Sequence, residues 1–458
     1  MVIDLKTFPK FADRFVQANF LATLAQGAGI AFVLQFSGIG LNYVTQVFLA
    51  RWMGPTEYGR YVYVIAWGTV LAIAAALGFP MVALRFIPQY RTREQWARLS
   101  GVIRRSWQFT LGIGVTLSLL GTGILLAWSS AYGGSEYLVP LLLGTWLIPL
   151  FALMNLQQNM LRAIREIALA YAPLRVMRPL SVLAGMFFLF QLGKKLTSVS
   201  AIGLTILVLL LLAAIQMLLF WRGLPTAVHR AKPAYETRMW LSVALPMLVI
   251  SGSSVLMNQT DILMIGAILG PSEVGAYNVA AKTAHFVTMI LFAADTVAAP
   301  LIASLYARGD HEGLQRLAST VAHATFWPSL AAAILMMALA NPILAVFGPD
   351  FTTMRWEMII LILGKLVYAG TGSVGHLMDM TGHQKLYTRV FGLSTLTNIA
   401  LNAIGISLLG TMGAALATAT ATAMWNIWLH ILVVRKLGIY PSVISNLALR
   451  MTGRARTA

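Results

Sequence analysis

The chain has 458 residues, of which 58% are hydrophobic and only 10% charged, with a formal net charge of +18 and no cysteine. Soluble domains carry roughly 25% charged residues, so this composition excludes an ordinary water-soluble globule. The missing cysteines exclude a disulfide framework, Cys-ligated metals and thiol chemistry.

From the N-terminus, Lys6, Lys10 and Arg14 come first, and no small-residue cleavage site follows a compact apolar core, so no removable signal peptide is expected. Phe8, Phe11 and Phe15 share one helical face opposite Lys10, Asp13 and Arg14, which suits a short helix lying in a membrane interface over residues 1–20. Apolar runs then follow at 24–50, 60–84, 106–128, 137–157, 179–193 and 199–221, and again at 240–266, 276–300, 322–344, 353–373, 395–409 and 415–434. A helix crossing the hydrocarbon core needs about 20 mostly apolar residues, so about twelve transmembrane helices are expected. The unbroken run from Ile202 to Phe220 excludes the alternating pattern of a membrane β-barrel. The fold class is all-α. The fifth and eleventh runs are short, and either borrow flanking residues such as Val176 and Met177 or sit in a thinned region.

An even number of spans puts both termini on one side. The joints on that side hold 26 Lys and Arg and those on the other side 5, which the positive-inside rule reads as cytoplasmic termini. The same count absorbs the basicity, so no nucleic-acid partner is needed.

An internal echo fixes the architecture. Gly54-Pro55-Thr56-Glu57-Tyr58-Gly59-Arg60-Tyr61 recurs as Gly270-Pro271-Ser272-Glu273-Val274-Gly275-Ala276-Tyr277, an offset of 216 that carries the first six spans onto the second six. Because six is even, the two halves enter the membrane from the same side and form a parallel repeat. The expected division is an interfacial segment at 1–20, six-helix bundles at 21–222 and 240–435, a cytoplasmic linker at 223–239, and a basic tail at 436–458. The octapeptide itself has a purely structural account: glycine ends one helix, proline stops it, and Thr56 or Ser272 caps the next.

The segment Phe48-Leu49-Ala50-Arg51-Trp52-Met53 leading into the first octapeptide resembles the first external hairpin of the polysaccharide transporter family, the flippases of lipid-linked oligosaccharides. Gly78-Phe79-Pro80 with Arg85-Phe86-Ile87-Pro88-Gln89-Tyr90 looks like that family's second-helix end. Asp261-Ile262-Leu263-Met264-Ile265-Gly266 with the second octapeptide is similar to its seventh-to-eighth hairpin. The resemblance covers the whole chain in layout and these hairpins in detail. It implies the fold of a superfamily shared with multidrug and toxic-compound extrusion antiporters and with the lipid II flippase: a V-shaped pair of bundles that opens alternately to either side. It also implies an undecaprenyl-diphosphate-linked repeat unit as cargo, moved outward for O-antigen, capsule or exopolysaccharide assembly. Membrane lipids would surround it, with a polysaccharide polymerase and glycosyltransferases as partners. Lipid II flippases usually carry two further helices, for which no runs are found.

Charges inside spans are costly, roughly +2.5–3.5 kcal/mol each on insertion scales, and so draw attention. Asp261, Lys282, Asp295 and Lys365 are the candidates, all in the second half. Asp261 and Lys282 lie at similar depth on the two arms of the 270–271 hairpin, as a structural ion pair or as cavity lining. The four charges sum to zero, so a cationic cavity is not expected. Arg85 opens an arginine-rich joint that either gathers a diphosphate or simply obeys the positive-inside rule. His376, Asp379 and His383 read as solvated groups rather than a metal site, and no Gly-x-x-x-x-Gly-Lys-Ser/Thr loop is present. No catalytic pattern and no cofactor are expected. A cation-coupled drug antiporter using Asp261 and Asp295 is the alternative function, and a non-transporting scaffold a third.

Overall fold

The structure is a computed structural model that describes residues 8–132 and 137–443, with side chains over 29–129 and 137–443. Its first helix, α1 (Phe8–Ala76), is too long to cross one bilayer, and its only non-helical residue is Gly54 (φ 74°, ψ 170°), followed by Pro55. In a straight helix Gln46 and Tyr58 would stand about 18 Å apart, yet the Tyr58 hydroxyl donates to Gln46 Oε1. The chain therefore reverses at Gly54. The return arm continues through a break at Leu77–Gly78 into α2 (Phe79–Thr92).

The first half continues through α3 (Trp96–Tyr132), α4 (Leu138–Gly144) and α5 (Leu147–Ala163). The short fifth run gains its length from upstream: α6 (Ile167–Ala172), a π-helical turn at Pro173–Met177 and α7 (Arg178–Gln191) form one span, so the borrowed residues complete it. Helix α8 (Ser198–Arg222) starts at a capping box in which Thr197 and Ser200 bond each other's backbone N–H. Glu57 of the first hairpin adds to this start, accepting from Ser198 N and Ser198 Oγ at 2.7 Å each. The turn α9 (Thr226–Arg230) then leads to α10 (Thr237–Ile268).

The second half repeats the plan. α11 (Pro271–Ala284), a 3-10 turn at His285–Thr288 and α12 (Met289–Ala307) form one span, and α13 (His311–Ala338) begins at Asp310, whose Oδ1 accepts from Gly313 N at 2.7 Å. Short α14 (Ala340–Ala345) and a 3-10 turn at Pro349–Met354 lead to α15 (Arg355–Thr371) and α16 (Val374–Met380), two parts of one span bent by 45°. The last helix, α17 (Gln384–Leu437), reverses at Gly410 (φ 61°, ψ −138°). Asn398 Nδ2 lies 3.4 Å from Thr418 Oγ1, where a straight helix would separate them by about 30 Å.

Among the described residues nine helices are long and apolar enough to cross a membrane, ten with the bent α15–α16 pair. Dividing α1 at Gly54 and α17 at Gly410 yields the twelve spans that hydropathy predicts. The protein is an all-α multi-pass membrane protein. The expected interfacial face over 1–20 and the basic tail beyond Val443 lie outside the described side chains.

The two halves meet most closely at the end that carries the repeated octapeptides. A Cβ added to Gly59 would lie 1.7 Å from the Pro271 carbonyl oxygen, and one added to Gly275 would lie 2.2 Å from that of Pro55. Each half thus presses its hairpin proline against the other's glycine, a two-fold contact that only residues without a Cβ permit. At the opposite end the connection between halves is tied down. Ala234 N donates to Ala97 O at 2.9 Å, and Glu236 accepts from Tyr90 Oη and pairs with Arg98 Nε, both at 2.9 Å. The first part of α10 rests on the first half, with Gly78 against the Ala244 carbonyl.

Candidate functional site

Between α1, the π-helical turn and the α11–α12 span lies a cavity of about 240 Å³ lined by Gln35, Ile39, Arg175, Lys282, His285, Phe286, Met289 and Phe292. Its position follows from the hairpin contact. Nearest the hairpins, Tyr58 Oη accepts from Asn278 Nδ2 at 2.8 Å, and one step deeper Tyr43 Oη and Thr283 Oγ1 are bonded at 3.0 Å. Tyr43 also packs edge-on against Phe286 and Phe347. These bonds join the halves across their seam. Gln35 and the residues from 285 to 292 lie further from the hairpins than the seal, so the cavity sits on the side of the tethered linker.

Two basic side chains and an imidazole mark the wall. Lys282 closes α11, His285 opens the 3-10 turn, and Arg175 projects from the π-helical turn. All three have accessible surface although they lie inside the bundle, because that surface is cavity wall. Helical π-turns recur at functional positions because the extra residue redirects side chains. This one packs directly on α1, where a Cβ at Gly38 would come within 2.7 Å of Arg175 Cβ. Lys365 of α15 is half-buried, within electrostatic reach of Lys282, His285 and Asp261.

The acids stand elsewhere. Asp261 is buried in α10, its Oδ2 accepting from Tyr277 Oη at 3.0 Å and its Oδ1 from Ile262 N at 2.9 Å. It makes no ion pair with Lys282 among the described residues, so a direct salt bridge across the hairpin is replaced by a carboxylate–tyrosine bond. The reason is helical rotation: Lys282 lies five residues beyond Tyr277, about 140° further round α11. When Tyr277 faces Asp261, Lys282 faces the cavity. Asp295 is buried in α12 against Ser373 and His376, and does not line the cavity. Neither acid is among the lining residues of this cavity, where Arg175 and His285 stand beside Lys282. Arg85 is exposed on α2 with its guanidinium 5.4 Å from the Phe86 ring centroid, and is not a lining residue.

Arg175 was missed in the sequence because it sits in a joint with Arg162, Arg165 and Arg178, where it reads as one more topology charge. His285 was passed over as one unpaired histidine among seven. Among the described residues no group of three or more His, Asp or Glu is arranged to hold a metal. His383, counted with His376 and Asp379 in sequence, bonds Thr381 at 3.1 Å instead.

Comparison with known proteins agrees with this architecture. A family profile described as "Polysaccharide biosynthesis protein" matches residues 24–306, and the MatE profile matches residues 246–404. The chain is 22% identical over 409 residues to the probable low-salt glycan biosynthesis flippase Agl15 of Haloferax volcanii, covering 89% of this chain and 82% of that protein. Among solved structures, the inward-facing conformation of a multidrug resistance MATE family transporter superposes with a TM-score of 0.72 at 14% identity, covering 90% of this chain and 98% of the other. The lipid II flippase MurJ in an inward closed conformation gives 0.69 at 16% identity, covering 93% of each. Such likenesses show a shared fold. With more than half its length matched and its paired hairpins meeting at the seam, the chain belongs to the polysaccharide biosynthesis protein family of membrane proteins.

Proposed function

We propose that this protein is a flippase that moves a lipid-linked glycan across a plasma membrane by alternating access between its two six-helix halves. The sign of the cavity carries the reading: Arg175 and Lys282 line a space between the halves beside the imidazole of His285, with Lys365 close by and no carboxylate in the wall among the described residues. Such a wall suits the phosphates that join a lipid to its glycan, because cationic donors make charge-assisted hydrogen bonds to phosphate oxygens. Phe286, Met289 and Phe292 continue it with apolar surface suited to the lipid. The narrower cargo is an undecaprenyl-diphosphate-linked repeat unit destined for O-antigen, capsule or exopolysaccharide, taken from the cytoplasmic leaflet with both termini in the cytoplasm. Glycosyltransferases would supply it and a polymerase would consume it. The chain acts here as a transporter rather than an enzyme.

The test uses purified protein in liposomes with a fluorescent lipid-linked oligosaccharide. A charged hydrogen bond contributes about 1.5–3 kcal/mol, so Arg175→Gln and Lys282→Gln should each slow flipping by roughly tenfold to a hundredfold while the protein remains folded. Wild-type rates in the double variant, or normal surface polysaccharide in a clean deletion strain, would reject the proposal. The MatE match favours cation-coupled drug export as a second reading. A cationic wall repels the cations such pumps commonly export, which ranks it lower. Drug efflux that depends on Asp261 or Asp295, without a polysaccharide defect, would reverse the order.

A further inference from the structure

Away from the cargo cavity, a second ionisable group is held at a break in the membrane helices. The α15–α16 span bends by 45° at Gly372, whose φ of 71° and ψ of −163° interrupt the helix. The break is packed on two sides. A Cβ at Gly372 would lie 2.6 Å from the Pro441 carbonyl oxygen and 3.5 Å from Ala322 of α13. Pro441 belongs to the segment after α17, which is clamped to α13 through Gln315: its Nε2 donates to Tyr440 O at 3.1 Å and its Oε1 accepts from Tyr440 N at 2.8 Å. The residue after Gly372 reaches across to α12, where the Ser373 hydroxyl donates to Asp295 Oδ1. One turn on, His376 Nε2 stands 3.7 Å from Asp295 Oδ2.

The Asp295 side chain is 7% exposed, whereas that of His376 is 44% exposed. The imidazole is thus the accessible partner of a buried carboxylate. Among the described residues no Lys or Arg pairs with Asp295. Of the other ionisable groups on the packed elements, Tyr368 of α15 lies within electrostatic reach of Asp295, Tyr387 of α17 acts on Tyr368, and Asp379 of α16 acts on Tyr387. On α13, His323 lies at a similar distance from the α12–α13 turn and makes no ion pair with Asp295. On the 3-10 turn, His285 answers to Lys282 and Lys365. A carboxylate in such a site is costly unless it is paired or protonated.

We propose that Asp295, Ser373 and His376 form a proton-binding clasp across the α15–α16 break, and that loss of its one shared proton unlocks the bend. With the proton on either the imidazole or the carboxyl group, the pair is neutral as a whole and α12 stays clasped to α16. When the proton leaves through His376 to water, the carboxylate keeps only the Ser373 hydroxyl, and the arrangement that brings Asp295 to water is favoured. That movement parts α12 from α16 at the glycine hinge, so the second half changes shape with proton occupancy.

The absence of native cysteine allows a direct test. Spin labels on Arg308→Cys and Met380→Cys, at the ends of α12 and α16, report their separation in the full-length protein in lipid nanodiscs. Distances are read by pulsed electron resonance from about pH 5 to pH 9. The wild-type background should pass from one dominant distance to a longer one in a single step. Asp295→Asn, nearly isosteric, should give one distance at all pH values, and His376→Gln should abolish or displace the step. A distance independent of pH in the wild type, or a wild-type step retained in either variant, overturns the proposal. If Asp295→Asn does not fold, Ser373→Ala replaces it and must displace the step; an unmoved step in Ser373→Ala counts against the clasp.

Discussion

Lys282 shows how much one residue's direction matters. It shares a hairpin and a similar depth with Asp261, yet it faces the cavity while Tyr277 takes the carboxylate. A double-mutant cycle reads this directly. Asp261→Asn combined with Lys282→Met should couple only through space, and less strongly than the hydrogen-bonded pair, because no salt bridge joins them. Asp261→Asn combined with Tyr277→Phe should couple by about 1 kcal/mol or more, because Tyr277→Phe alone leaves a buried carboxylate without its hydroxyl donor. Thermal unfolding of the singles and doubles in detergent supplies both numbers, and the opposite ranking would restore the salt bridge. Arg175 makes the same point from the other side, since its role depends on which way a π-helical turn aims it.

Among the elements, the two hairpins are the most constrained. Their octapeptides have a local account as helix stops, and the structure adds a second demand, that Gly59 and Gly275 each accept the other half's backbone. The closed state tolerates no methyl group at either glycine without parting the hairpins. Gly59→Ala should therefore shift the population toward a form open at the hairpin end. With a single cysteine placed at Ile39 in the cavity wall, an impermeant thiol reagent applied from the hairpin side should react roughly tenfold faster in Gly59→Ala than in the parent, a shift of about 1.4 kcal/mol between states. Equal rates would mean that the contact does not gate the cavity. The remaining breaks at Gly78, the π-helical turn, the 3-10 turn at His285–Thr288 and Gly372 mark where spans are irregular, and two of them carry cavity residues.

For the whole molecule, the parallel repeat places both hairpins with Pro55 and Pro271 at one end and the linker with the final segment at the other. The excess of Lys and Arg lies at the linker end. If that end is cytoplasmic, a cysteine at Thr56 should react with an impermeant thiol reagent from outside intact cells, and one at Thr92 only after the membrane is permeabilised. The reverse pattern would invert the molecule and with it the direction in which the cavity is open. The closed hairpin end leaves the cavity on the linker side of the seal.

Span number, fold class and repeat were legible in the sequence because they depend on local composition measured against a bilayer of fixed thickness. A glycine–proline pair repeated at an offset of 216 is visible in the same way, since a helix stop is written in a few neighbouring residues. The short fifth span was legible only as a choice, and the continuous backbone through Pro173–Met177 decided it. The site was legible as a set of charges but not as an arrangement. Lys282 was legible as a charge inside a span, yet its partner, the separation of Asp295, and the placing of Arg175 and His285 beside it all turn on how each helix is rotated about its axis. Ser373 and Asp295 are 78 residues apart, and Gly59 touches a proline in the other half of the chain. Rotation and cross-half contact are set by side-chain packing between helices, where every face of an apolar span looks alike to hydropathy. Only the tertiary structure could decide which buried charges share a cavity and which stand apart.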